Sequence, residues 1–191
     1  MSGNYWFEYE GTLFLSLNSN YSDCASHVAF MKEAQEEFLK LHGTPVWQIV
    51  TFHHSIFSCG KHASSSSILE LREGLANSLS ELNIDVVLMG HDHVYTRSVM
   101  MQGTVPTTHS HISAGFTPLS SVTDPKEGEV LYLTLNSASG SKYNSVEAEN
   151  YNYIAVQNQE SVPNMSKITV SDSSLTVTTY EQEVVIPLMI L

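Results

Sequence analysis

Basic residues are scarce in this chain: 8 Lys and Arg stand against 20 Asp and Glu, a formal net charge of -12. That shortage argues against a groove for nucleic acid, which must neutralise phosphates with Lys and Arg. It leaves room for an anionic substrate, because a bound metal ion can dominate the local field. Cysteines are equally few. Cys24 and Cys59 could pair, could be free, or could be buried as small hydrophobes, which is the default for this side chain. Long apolar runs are missing too, and none approaches the ~20 residues needed to span a bilayer. Met1-Ser2-Gly3-Asn4 has neither a basic n-region nor an apolar h-region, so no signal peptide is expected here; a processed or trimmed chain would look the same. No internal repeat is visible, and Ser64 to Ser67 is the one low-complexity stretch, explained by a mobile surface loop. What remains is ordinary globular composition: 42% hydrophobic residues and a mean hydropathy of -0.08. The length, 191 residues, suffices for one domain with a real core. Asn20-Tyr21-Ser22 and Asn164-Met165-Ser166 match a glycosylation acceptor, a pattern common by chance.

Periodicity divides the chain near Ser98. Tyr5 to Leu17 alternates apolar and polar residues around Glu10-Gly11 and reads as a hairpin or two successive strands. Ser22-Asp23 is an N-cap for a helix over Ala25 to Leu41, closed by His42-Gly43. Val46 to Phe52 reads as a strand buried on both faces, His53 to Ser67 as a loop, Ile68 to Leu82 as an amphipathic helix, and Asp85 to Met89 as the next strand. That order is a βαβ unit, so its two strands are expected to be parallel neighbours. Beyond Ser98 the pattern is of short strands: Val99 to Val105, Ile112, Val130 to Leu135, Lys167 to Val170 and Ser174 to Tyr180, with Asp172-Ser173-Ser174 as a hairpin turn. The second half is therefore expected to be mainly antiparallel, and the apolar tail Val184 to Leu191 to add an edge strand or to be a chain end. We read residues 1–191 as a single partial domain, with 1–98 as the βαβ half that bears the histidines and 99–191 as the β-rich half.

Gly90-His91-Asp92-His93 follows the apolar run Val86 to Met89, and the glycine is expected to let the backbone turn there. Two imidazoles at i, i+2 then share one small volume, and imidazole suits Zn, Fe or Mn. A second cluster, His53-His54 with His62, follows the strand candidate ending at Phe52. Ligands of open α/β sheets bind beyond the carboxyl ends of parallel strands. The βαβ topology brings His53, His91 and His93 to that rim. Adjacent residues of an extended backbone point apart, so His54 is expected to be a neighbour rather than a ligand. His109-Ser110-His111 reads as surface strand, and His27 and His42 as structural.

Residues 90–98, Gly-His-Asp-His-Val-Tyr-Thr-Arg-Ser, resemble the Gly-His-x-His signature of calcineurin-like metallophosphoesterases. Val50-Thr51-Phe52-His53, continuing through His54-Ser55-Ile56-Phe57-Ser58, is similar to the preceding histidine motif of that family. Leu71-Arg72-Glu73 and Tyr5-Trp6-Phe7-Glu8-Tyr9 fit its purple acid phosphatase-like branch. The resemblance covers roughly residues 5–140, and its two histidine motifs are strong together and weak apart. It implies an α/β fold, the αββα sandwich of that family, here lacking its N-terminal βαβ portion. It implies a dinuclear centre of divalent or trivalent metal ions (Fe, Zn or Mn), and hydrolysis of a phosphoester small molecule or nucleotide by a metal-bound hydroxide. By motif, His53 and His91 would bind one metal and His93 the other. His62 stands where the branch carries a histidine that contacts phosphate oxygens or protonates the leaving group; its alternative is an exposed loop histidine. Tyr95 and Arg97 could line the rim, Tyr95 as a substrate contact, or serve packing and a surface pair. Asp92 is expected to face solvent or to support the ligands from behind. Secretion or a cell-surface location is implied by the resemblance alone.

One part of the family pattern is missing. Asp-x-His, Gly-Asp and Gly-Asn-His motifs, which supply the metal-bridging carboxylates, are not in this sequence, and it contains no Gly-Asp dipeptide. Three neutral imidazoles cannot fill two metal coordination spheres or offset the charge of two cations. Either the chain is the C-terminal part of a longer phosphoesterase, or it is a module that has lost the catalytic half and binds one metal or a partner. In the first case Tyr5 to Leu17 should leave an unpaired edge or an exposed apolar face, a surface prone to self-association.

Overall fold

The structure is a computed structural model that describes residues 3–107, 125–147 and 151–181. Its first element is the hairpin expected from the alternation: β1 (Tyr5–Tyr9) pairs antiparallel with β2 (Thr12–Ser16) across Glu10-Gly11, both at positive φ. Helix α1 (Cys24–His42) begins where Asp23 accepts from the main-chain N–H of Ser26, satisfying one orphan donor of the first turn. It ends at Gly43, whose φ of 84 is accessible to glycine at little cost. Strand β3 (Trp47–Thr51), helix α2 (Ser66–Glu81) and strand β4 (Val86–Met89) form the expected βαβ unit, with β3 and β4 parallel.

The second half departs from the reading of its strands in two places. The polar run after the histidine turn is itself a strand, β5 (Tyr95–Ser98), and Ile154–Asn158 forms a strand that periodicity had passed over among Asn and Gln residues. The expected strand Val99 to Val105 is instead two residue pairs, β6 (Met101–Gln102) and β7 (Val105–Pro106), around Gly103. With β8 (Leu131–Thr134), and Ile154–Asn158 as β9, a seven-stranded mixed sheet forms in the order β1-β2-β3-β4-β8-β5-β9. β2, β3, β4 and β8 run parallel, whereas β1, β5 and β9 pair antiparallel. β10 (Asn164–Ser171) and β11 (Ser174–Glu181) make the expected hairpin, and Trp47 Nε1 donates to Ser171 O at 2.7 Å, tying that hairpin to the start of β3. Asn164 is only 6% exposed, so it is no glycan acceptor in this fold. Ile112, His109, His111 and the tail Val184 to Leu191 lie outside the described residues.

One face of the sheet carries the main core. Leu13, Leu15, Val50, Val87, Met89 and Tyr132 pack there with Met31 and Phe38 of α1 and Leu71, Leu75 and Leu79 of α2. Tyr132 is fully buried against Phe57, ring centroids 4.4 Å apart, and its hydroxyl has no hydrogen-bond partner among the described residues. Removing that oxygen relieves an unmet desolvation cost. Tyr132→Phe should therefore leave stability unchanged or raise it by about 1 kcal/mol in urea unfolding; a loss of that size would show the hydroxyl to be satisfied. Side-chain alternation puts Phe14, Ile49, Val86 and Leu133 on the opposite face, and the last three are at most 4% exposed. Towards β1 that cover gives out. Tyr5, Phe7 and Tyr9 on the same face are 58%, 45% and 61% exposed, and Phe7 stacks on Phe14 at 4.8 Å. This is the unpaired edge and exposed apolar face expected of Tyr5 to Leu17. Cys24 and Cys59 are both free.

Candidate functional site

Parallel strands β3 and β4 end together, Thr51 opposite Leu88, and the histidines follow on the loops beyond. His91 Nδ1 lies 3.3 Å from His53 Nε2. Around the His91 ring stand three more, with centroids at 4.6 Å (His54), 4.7 Å (His62) and 5.1 Å (His53). His91 is thus the hub of a four-imidazole cluster. His93 lies outside the ring contacts of that cluster; its Nδ1–H donates to the Lys142 carbonyl at 2.8 Å, which fixes the tautomer and leaves the lone pair on Nε2. Tyr95 and Arg97 are half-buried on β5, on the sheet face away from the helices, and Tyr95 pairs with Asn158 of β9 at the rim.

One local expectation is corrected and two are narrowed. The turn is not made by Gly90, which keeps an ordinary φ; the left-handed residues are His91 at 68 and His93 at 52. Histidine reaches that region more readily than β-branched residues do, at a cost of about 1 kcal/mol or more each. His54 is a neighbour of the His53–His91 pair, as expected, but it does not point away from it. Strand alternation stops at Thr51, and in the bend beyond it the His54 ring swings back to His91. Ser19, itself 7% exposed, fixes it: the Ser19 hydroxyl and His54 Nδ1 bond at 2.8 Å, and His54 N–H donates to the same oxygen at 3.1 Å. Of the two places expected for Asp92, burial excludes the solvent-facing one: it is fully buried, because both histidines beside it take the outward positions.

The loop from His53 to Ser65 is held from below by Arg72 of α2. Its Nε donates to Ile56 O at 2.5 Å and its Nη2 to Ala63 O at 3.0 Å, while the guanidinium lies over Phe57 at 5.0 Å and Tyr153 at 5.3 Å. Nothing in the periodicity of α2 singles out Arg72 as a loop anchor, since its apolar neighbours define the buried face.

Crowded imidazoles oppose protonation of one another. Burial, then the neighbours His54, His62 and His53, push His91 down to about 4, with Asp92 pulling weakly the other way. Burial, then His53 and His62, lower His54 as well. Both rings are therefore neutral near pH 7 and present lone pairs. A depressed folded-state value means that stability is fully present above the unfolded histidine value of about 6.5 and is lost as pH falls from there through the folded value. Titration of the metal-free protein by histidine NMR should give a His91 midpoint near 4. A midpoint at or above the ordinary 6.5 would break this picture of the cluster.

Do these residues fit a metal centre? Two imidazole nitrogens on one tetrahedral ion stand about 3.3 Å apart when each bond is about 2.0–2.1 Å. His53 Nε2 and His91 Nδ1 meet that separation, which is also a hydrogen bond when one of them is protonated. The fit ends with that pair. Among the described residues no three His, Cys, Asp or Glu side chains are placed to hold one ion. The arrangement is a partial ligand set, not the dinuclear centre the motifs imply.

No family model and no curated protein matches this chain. Solved structures do. The purple acid phosphatase PPD1 isolated from yellow lupin (Lupinus luteus) seeds is similar to it with a TM-score of 0.75 at 14% identity, over 96% of this chain and 31% of that one. PhoD is similar with a TM-score of 0.53 at 12% identity, over 95% of this chain and 42% of that one. GAP50, the anchor in the inner membrane complex of Plasmodium, aligns with a TM-score of 0.46 at 14% identity over 81% of this chain and 42% of that one, too loosely to bear on the fold. This chain thus spans less than half the length of each. At such identities the likeness is one of fold. The seven-stranded mixed sheet and its two helices have the fold of part of a metallophosphoesterase domain.

Proposed function

We infer that this chain is the histidine-bearing part of a metal-dependent phosphoester hydrolase of purple acid phosphatase type. The observation that carries this is the meeting of His53 and His91 at 3.3 Å beyond the ends of two parallel strands. His53 and His91 are the proposed ligands of one ion, and His93 of a second through Nε2, with its Nδ1–H held by the Lys142 carbonyl. His62, in ring contact with His91, is the proposed contact to phosphate oxygens or proton donor to the leaving group. Tyr95 lines the same rim. The remaining donors, carboxylates above all, must come from beyond the described residues, and the substrate is a phosphoester whose organic part the site does not specify.

A second reading, a non-catalytic binding module, is favoured by the exposed aromatic face of β1. One experiment separates the two. The purified chain is titrated with Zn, Mn or Fe, its bound metal is counted, and hydrolysis of p-nitrophenyl phosphate is followed. Two bound equivalents with turnover support the hydrolase. One equivalent or none, without turnover, removes the activity from this chain and leaves the module.

A further inference from the structure

At the centre of the Gly90–His93 turn is a carboxylate that the proposed chemistry does not use. Asp92 is 0% exposed. Its Oδ1 accepts the main-chain N–H of His62 at 3.1 Å, and its Oδ2 is buried with no hydrogen-bond partner among the described residues. Gly60 lies flat against the same carboxyl group: a Cβ on it would stand 2.8 Å from Asp92 Cγ, closer than real side chains approach. The turn itself is pinned from its other side. Asp92 N–H donates to Gly90 O at 2.8 Å, and Asn144 Nδ2 donates to Asp92 O at 2.9 Å. The Asp92 side chain therefore has a fixed base and one function at its tip, to hold the segment 60–62.

A carboxylate taken fully out of water with one oxygen unmatched is costly. An apolar side chain would fill the space without that cost and could not hold an N–H. We propose that Asp92 is a positioning residue that seats His62 against His91. The bond to the His62 amide fixes the backbone from which that ring reaches to within 4.7 Å of the His91 ring. One turn then sets both groups of the site: it carries His91 and His93 outward, and through the inward Asp92 it places His62. This rests on reading His62 as a site residue and names what holds it there.

The test reads the position of His62 directly, in metal-free protein without phosphoester. Histidine ring signals and the His62 amide exchange rate are compared by NMR in the parent, Asp92→Ala, Asp92→Asn and Gly60→Ala. In Asp92→Ala the His62 amide should exchange on the order of tenfold faster or more, and the His62 and His91 ring signals should shift. The ring of His27, bonded to Asn4 and the Tyr21 carbonyl far along the chain, should not move. Asp92→Asn keeps an acceptor oxygen and should restore the parent exchange rate of the His62 amide. Gly60→Ala, which forces loop and carboxyl apart while keeping both, should reproduce the shift. Parent-like His62 signals in a folded Asp92→Ala, or no recovery in Asp92→Asn, would overturn the proposal. Should Asp92→Ala unfold, as a displaced His27 signal would show, an unmoved His62 in Gly60→Ala overturns it. A chain with no turnover still decides the question, and a failure of Asp92 in this role leaves the metal titration above untouched.

Discussion

His91→Ala should lower kcat/KM for p-nitrophenyl phosphate by on the order of a thousandfold in any form of the protein that turns over, and abolish one equivalent of bound metal. His91 is the one ring in contact with the other three members of the cluster, and its Nδ1 makes the 3.3 Å approach to His53. Stability should change little, within about 1 kcal/mol, because the ring is half-buried and its removal also relieves crowding among neutral imidazoles. Alanine does not relax the φ of 68 at this position, so His91→Gly is the cleaner companion. Turnover retained in both variants would remove His91 from the chemistry. Lost turnover with full metal loading would move it from ligand to substrate contact.

Arg72→Leu should destabilise the fold by about 2–4 kcal/mol in urea unfolding, the largest effect expected of any exchange outside the apolar core. Leucine fills part of the volume and leaves the carbonyls of Ile56 and Ala63 without their donor. It also uncovers the faces of Phe57 and Tyr153. The Tyr153 hydroxyl, which donates to Ser58 O at 2.8 Å, is a phenol whose pKa burial pushes up and the nearby guanidinium pulls down. Arg72→Lys keeps the charge yet cannot span both carbonyls in the plane of the guanidinium fork, and should recover less than half of the loss. Ile56 and Ala63 bracket the segment that leads to His62, so any turnover should fall along with stability. A cost below about 1 kcal/mol for Arg72→Leu would mean that the loop holds its shape unaided.

Regular segments of this molecule were legible in its sequence, and their exceptions were not. The βαβ unit follows from apolar spacing in Ile68 to Leu82 between two apolar runs, and its topology placed His53 and His91 on one rim before any coordinates. β5 and β9 were missed because their side chains are polar for a reason of place. They lie at one margin of the sheet: β5 buries small polar side chains, Thr96 and Ser98, so its alternation does not show as hydrophobicity, and the edge strand β9 is half-buried along its whole length. The histidine turn was misread in detail because a glycine invites the assignment of the bend to itself. The bend falls on its neighbours, and this turns His91 and His93 outward and Asp92 inward. The orientation of His54 was misread because the pleat rule was carried three residues past Thr51, where β3 ends. The partial ligand set, by contrast, was visible early, since the absent carboxylates are a matter of composition and motif rather than of folding.

The two left-handed histidines put durability and chemistry at odds within four residues. Glycine is the side chain the backbone would choose at 91 and at 93, by about 1 kcal/mol at each. A laboratory screen that rewards heat resistance alone should therefore enrich His91→Gly and His93→Gly early, and would yield a sturdier protein whose rim keeps only His53, His54 and His62. A screen that also scores metal capture should keep both rings and find its stabilising changes elsewhere, at positions such as Tyr132.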